Sequence, residues 1–212
     1  MATGVYKITE EFEQAISKYT GAPYVVALDN CSSALFLSLY YNNIKGKTIE
    51  IPARTYMSVP CEIIHAGGFV KFTPVVGETL KGAYQLKGSN VVDSALRFTA
   101  DMHTPGTFTC CSFTGRHKHL KLGKGGCILT DNEVAYKWFK KARFSGRDEC
   151  EYADDTFDTL GWNFYMLPTI AALGVLLIGQ FYNLDGTKKD MPDVELIYPD
   201  LSKFEIYTKT NL

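Results

Sequence analysis

Phe12, Ala15, Ile16 and Tyr19 recur at i, i+3, i+4 and i+7, the apolar stripe of one helix face, and Gly21 marks where that helix stops. The apolar run 24–28 predicts a short buried strand. The small polar residues 29–33 separate it from the apolar run 34–41, so the order there is strand, tight turn, helix. Residues 48–51 predict a second strand, stopped by Pro52. Residues 55–66 predict a helix that tolerates Pro60 only near its first turn and ends at Gly67-Gly68. Runs 69–72, 90–92, 107–113 and 127–129 predict further strands, the second ending in Asp93. Residues 132–144 form a helical pattern with Val134, Trp138 and Ala142 four apart, and 165–182 form a long apolar helix.

Strands alternating with helices predict an α/β domain: three layers, α/β/α, around a mostly parallel sheet. Ligands of such sheets bind beyond the carboxyl ends of the strands. The turn 29–33, Asp93 and Ser112 fall at those ends. After Leu184 the chain turns polar and is broken by Pro192 and Pro199. It reads as a domain over 1–184 with an extension, 185–212, rather than a second globular unit. The apolar stretch 166–179 has 14 residues and contains Pro168. That is short of the about 20 a membrane span needs, so a buried helix and no membrane contact are expected. The first twelve residues have neither the basic nor the apolar region of a signal peptide.

Composition narrows the classes. Of 212 residues, 46% are hydrophobic and 21% charged, which excludes wholesale disorder. Lys and Arg number 22 against 23 Asp and Glu, so no excess of cations exists to bind a nucleic acid. Thirteen Phe and thirteen Tyr imply a well-packed interior or a sizeable interface. The six cysteines form no CxxC pair, so reduced thiols and a cytoplasmic setting are expected. His117-x-His119 has no companion pair at metal-binding spacing, so no metal is expected.

The segment 111–126, CSFTGRHKHLKLGKGG, carries the most chemistry. A strand ending in Ser112 runs into a basic loop and then into glycines, and hydroxyls, N–H groups and cations together suit an anion, most simply a phosphate. A solvated basic hairpin is the plainer alternative. The turn Asn30-Cys31-Ser32-Ser33 would aim N–H groups at an anion on a helix N-terminus, although many such turns hold nothing. Asp93 could pair with a protonated ring nitrogen or a cation, or simply cap a helix from Ser94 onward.

These fragments occur in a recognisable order. FEQAISKYTGAPYVVALDNCSSAL, IEIPARTYMSVPCEIIHAGGFVKF, VVDSA, the lysine loop ending GKGGCILTDN, and GWNFYMLPTIAALGVLLI together resemble the DegT/StrS family of sugar aminotransferases, over about residues 10 to 182. The resemblance implies the large domain of fold-type I, aspartate aminotransferase-like enzymes, with pyridoxal 5′-phosphate as cofactor. It implies that Lys118 is the catalytic Schiff-base lysine and proton shuttle, that Asp93 pairs with the pyridinium nitrogen and that Tyr56 stacks on the ring. Ser32, Ser33 and Ser112 would hold the phosphate, and Asn163 would reach the phosphate of a neighbouring subunit in a homodimer. The implied substrates are a nucleotide-linked keto-sugar and an amino donor, usually glutamate, as in polysaccharide biosynthesis. Three positions depart from the family pattern. His117 stands where the lysine falls by counting from Ser112, Leu96 replaces a Gln or His, and Cys31 replaces a Gly. Family proteins are also roughly twice this length, and their small C-terminal domain would be reduced here to 185–212. Two alternatives accompany this reading: a sugar dehydratase of the same family, in which histidine replaces the lysine, and a non-catalytic binding or assembly protein.

Overall fold

The computed structural model describes residues 6–208; residues 1–5 and 209–212, part of the N-terminal segment and the extension discussed above, lie outside them. Helix α1 (Lys7–Thr20) ends at Gly21, which takes φ 75° and closes the helix by donating its N–H to Ser17 O. Strand β1 (Tyr24–Leu28) leads to α2 (Cys31–Tyr41), whose N-cap Asn30 accepts the Ser33 N–H on its side chain. Then come β2 (Thr48–Pro52), α3 (Ser58–His65), β3 (Phe69–Thr73), β4 (Thr79–Gln85), β5 (Val91–Leu96), β6 (Phe108–Ser112), β7 (Gly126–Thr130), α4 (Glu133–Ala142), α5 (Pro168–Ile178) and β8 (Glu195–Ile197).

The sheet is buried on both faces, and the period of two in its strands builds two cores. Val26, Leu28, Cys110 and Ile128 point to the face covered by α2 and α4. Val25, Ala27, Cys111, Cys127 and Leu129 point to the face covered by α1 and α5, where Phe12, Ile16 and Tyr19 also lie. The three-layer α/β/α arrangement follows from that double burial.

Strand direction corrects the sequence reading. The main sheet runs β1-β7-β6-β5-β4-β8, and β2-β3 form a separate parallel pair. Within the main sheet only β5 and β6 are parallel; β1–β7, β6–β7, β4–β5 and β4–β8 are antiparallel. The cause is the connections. A parallel neighbour needs a crossover of a dozen or so residues. Residues 86–90 join β4 to β5 as a short hairpin, and 113–125 join β6 to β7 without a helix, so both pairs turn back on themselves.

Several boundaries also differ. Helix α3 starts at Ser58 rather than 55, which places Pro60 in the first turn, where its missing N–H has no helical partner to lose. Helix α5 starts at Pro168 rather than 165, because residues 165–167 are extended and Tyr165 bridges to Leu28. Strand β5 continues past Asp93 to Leu96, so Asp93 caps no helix. No described helix is long and apolar enough to cross a membrane.

Beneath the α1 face, the fully buried Arg143 donates to Glu13, to Ala27 O at 2.6 Å and to Glu149 at 2.8 Å, and Lys140 pairs with Glu13 at 3.1 Å. This network ties α1, β1 and the end of α4 together.

Candidate active site

The carboxyl ends of β5 and β6, the start of α2 and the loop after β6 enclose a cavity of about 510 Å³. That size suits a small organic ligand or cofactor. Asp93 lies at its inner end and is 4% exposed. Its Oδ1 accepts the Ala95 N–H at 2.9 Å, and its Oδ2 accepts the Tyr84 hydroxyl at 3.0 Å. Tyr84 has one hydrogen to give, so Thr55, 2.6 Å from the same hydroxyl, donates to it. Burial pushes the Asp93 carboxyl above the usual carboxylate range, while the Ala95 N–H, Tyr84 and the charge of Lys118 pull it back.

Lys118 reaches in from the loop after β6. Its Nζ donates to Ala95 O at 2.5 Å, two residues beyond Asp93. Burial lowers its pKa below the ordinary lysine value, opposed by the neighbouring Cys31 and Asp93. A lysine held this way has more free amine near neutral pH, the form that attacks a carbonyl carbon. His117 lines the same cavity, and Arg116 Nε donates to its ring at 3.2 Å.

The other end of the cavity is hydroxyl-rich. Ser32 Oγ, in the first turn of α2, and Ser58 Oγ, at the start of α3, are 2.6 Å apart, and both line it with Asn30 and Ser112. Gly126 makes this geometry possible: a Cβ there would stand 2.6 Å from Asn30 C and Cys31 N and 2.8 Å from Cys111 O. Strand β7 is thereby pressed against the backbone that opens α2. Tyr56 is 52% exposed at the rim, edge-on to Tyr198 with ring centroids 6.4 Å apart.

Of the residues singled out from sequence, Ser32, Tyr56, Asp93, Ser112 and Lys118 converge on this cavity. Ser33 does not: it is buried, and the N–H expected to face an anion is taken by the Asn30 side chain. Asn163 is exposed on the segment bridged to Phe144, away from the cavity. Thr55, Ser58, Tyr84, Leu196 and Tyr198 were not foreseen. Ser58 lies within a predicted helix, but nothing in the sequence pairs it with Ser32. Tyr84 lies on a strand interrupted by Gly82, and Tyr198 lies in the polar tail. Among the described residues no group of three or more His, Cys, Asp or Glu side chains is gathered as for a metal.

The sequence profile of the DegT/DnrJ/EryC1/StrS aminotransferase family matches residues 2–87 and 99–198. The chain belongs to this family. The unmatched interval contains β5 and Asp93. Solved structures share the fold. Sugar aminotransferase CalS13 from Micromonospora echinospora is 19% identical over 82% of this chain and 61% of its own, with a TM-score of 0.66. A protein of Bacillus cereus ATCC 10987 assigned as a PLP-dependent aminotransferase is 22% identical over 81% and 58%, also with a TM-score of 0.66. Helicobacter pylori PseC, an aminotransferase involved in the biosynthesis of pseudoaminic acid, is 14% identical over 82% and 57%, with a TM-score of 0.59. The chain thus spans about three fifths of the length of these structures. No curated protein sequence matches it. Pyridoxal 5′-phosphate is the cofactor that family membership implies. The groups present fit it: a half-buried amine, a buried carboxylate at one end and a hydroxyl-lined helix start at the other.

Proposed function

We propose that this chain is a pyridoxal-phosphate-dependent sugar aminotransferase that moves an amino group from glutamate to a nucleotide-linked keto-sugar. The observation that carries this reading is the placement of the Lys118 amine in one cavity with the buried Asp93. Bound there, pyridoxal phosphate supplies an electron sink and an aldehyde carbon with which amines condense. The residues of the chain do the rest. Lys118 Nζ would supply the amine that holds the group, and as a free amine it would take up and return a proton beside it. Asp93 would accept the hydrogen bond of a protonated ring nitrogen, and Tyr84 holds the carboxylate in orientation. Ser32, Ser112 and the N-terminus of α2 hold the phosphate. Tyr56, at the rim, would supply an aromatic contact to the ring.

In the net exchange the amino group leaves glutamate, which becomes 2-oxoglutarate, and replaces the keto oxygen of the sugar. We take 1–184 as the cofactor-binding unit and 185–212 as an extension, whose described part pairs β8 with the edge strand β4 and brings Leu196 and Tyr198 to the cavity. The six free thiols suit a cytoplasmic location. A homodimer is supported by the exposed Leu167, Leu173 and Leu176 before and on α5, an apolar surface that a second copy would cover, and Asn163 would then face a neighbouring site.

The test is the first half of the exchange: the full chain, loaded with pyridoxal phosphate, is mixed with L-glutamate and 2-oxoglutarate is measured. One equivalent of 2-oxoglutarate per bound cofactor is expected, and turnover should require an added keto-sugar nucleotide. A loaded chain that releases none is not an aminotransferase using glutamate. One observation favours a dehydratase as second reading: His117 lines the cavity beside Lys118. In that case His117→Ala, rather than Lys118→Ala, abolishes the chemistry.

A further inference from the structure

Residues 191–201 turn back along the edge of the main sheet and are fastened along their length. Met191 N–H donates to Thr99 Oγ1 at 2.7 Å, and Val194 N–H to Leu96 O at 2.8 Å. Asp193 pairs with Arg97 at 2.9 Å. Strand β8 pairs with β4 through Leu80↔Leu196 and Thr79↔Ile197. Beyond it, the Arg54 guanidinium donates to Tyr198 O at 2.8 Å, and Leu201, 1% exposed, donates its N–H to Ala53 O at 2.8 Å.

Side chains along a strand alternate. Glu195, Ile197 and Pro199 are exposed, whereas Leu196 and Tyr198 face inward and line the cavity. The Tyr198 ring meets Tyr56 edge-on at the rim. Burial, and after it the charge of Asp93, pushes the Tyr198 hydroxyl up to about 12, so it stays protonated at neutral pH. The influence of Asp93 is consistent with an inward-facing ring.

We propose that Tyr198 is a cofactor-contacting residue, and that the C-terminal strap supplies it as the partner of Tyr56 in an aromatic rim that retains a flat heteroaromatic ring. This rests on the reading of the cavity as a pyridoxal-phosphate site. A tyrosine offers a large rigid face with few torsions to freeze, and aromatic contacts gain energy beyond the area they bury. Because its backbone is already fastened by Arg54, β4 and Ala53, the strap has little order left to lose on binding. Its effect should therefore be on retention.

The experiment is equilibrium dialysis of the full 212-residue chain against pyridoxal phosphate, with cofactor release followed after dilution. Wild type is compared with Tyr198→Ala, Tyr198→Leu, Tyr198→Phe and the outward-facing control Ile197→Ala, and thermal melts show that each variant is folded. Ala and Leu are expected to weaken binding by about tenfold and to speed release by a similar factor, whereas Phe stays within about threefold. Affinity for inorganic phosphate is expected to be equal in all of them. Leu preserves apolar bulk, so it reports on the ring even if Ala loosens the strap. Wild-type affinity in both Ala and Leu overturns the assignment of Tyr198 and leaves the cavity reading intact. Absence of binding by wild type overturns the cavity reading, and this inference with it.

Discussion

The Tyr84 hydroxyl donates to Asp93 Oδ2 at 3.0 Å while accepting from Thr55, so β4 holds the buried carboxylate by a two-link chain. Tyr84→Phe keeps the ring but leaves Asp93 with the Ala95 N–H alone. A hydrogen bond to a charged group contributes about 1.5–3 kcal/mol. A loss of stability in that range is expected, read from the urea midpoint at constant m-value. Loss of the donor also raises the Asp93 pKa further, so pyridoxal phosphate should bind Tyr84→Phe more weakly. An unchanged midpoint would show that the chain carries no energy.

Lys118 sets a pH dependence. Its folded pKa lies below the unfolded one because burial opposes the charge. Between the two values the unfolded chain holds the extra proton, so stability contributed at this site rises with pH through that window. The neutral amine fraction rises through the folded pKa as well. Reductive incorporation of pyridoxal phosphate at Lys118 should therefore increase with pH and level off below the ordinary lysine value of 10.5. Lys118→Met should abolish both dependences. A profile levelling off at or above the ordinary value would show that burial leaves the amine unperturbed.

Gly126 is the tightest structural condition on the site. Its missing Cβ lets β7 touch the Asn30 and Cys31 backbone, which no rotamer change could relieve. Gly126→Ala should cost about 1–3 kcal/mol and weaken phosphate binding, because the opening of α2 must shift. Gly186→Ala, at a position with open space but a left-handed φ of 82°, should cost only a strain of about 1 kcal/mol and leave binding alone.

Arg143 is fully buried among Glu13, Glu149 and Ala27 O. Removing one member of such a group strands the rest. Arg143→Ala should destabilise by about 3–5 kcal/mol, partly offset by Lys140, which already reaches both carboxylates. Arg143→Met with Glu13→Gln should recover part of that loss. Additive effects would deny that the charges act as a unit.

What the sequence made legible has a physical boundary. Helix α1 was readable because its stripe is amphipathic, and β1 and the centre of β7 because strands buried on both faces are continuous apolar runs. Asp93 and Ser112 could be singled out because they lie at the ends of strand-like runs, whereas Lys118, inside the 113–125 loop, could be singled out only by resemblance to the family's lysine loop. Strand β4 was hidden by Gly82, which adopts φ 69° at a register shift, and β8 by its three-residue length between prolines. Sheet direction was missed because it is set by the absence of helices in 86–90 and 113–125 rather than by any residue pattern. Tyr84 and Tyr198 reach the site only through those two strands, so no local motif could announce them. That the Ser33 N–H is bonded to Asn30 was not legible, because a helix start does not reveal which of its N–H groups the N-cap consumes.

Lys118 is the amine proposed to hold the cofactor. The direct measurement is borohydride reduction of the full chain after incubation with pyridoxal phosphate, followed by peptide mapping by mass spectrometry. The account predicts a single stoichiometric pyridoxyl group on Lys118, lost in Lys118→Ala and retained in Lys121→Ala and Lys124→Ala. A label spread over exposed lysines, or one that persists elsewhere at full stoichiometry in Lys118→Ala, would contradict it.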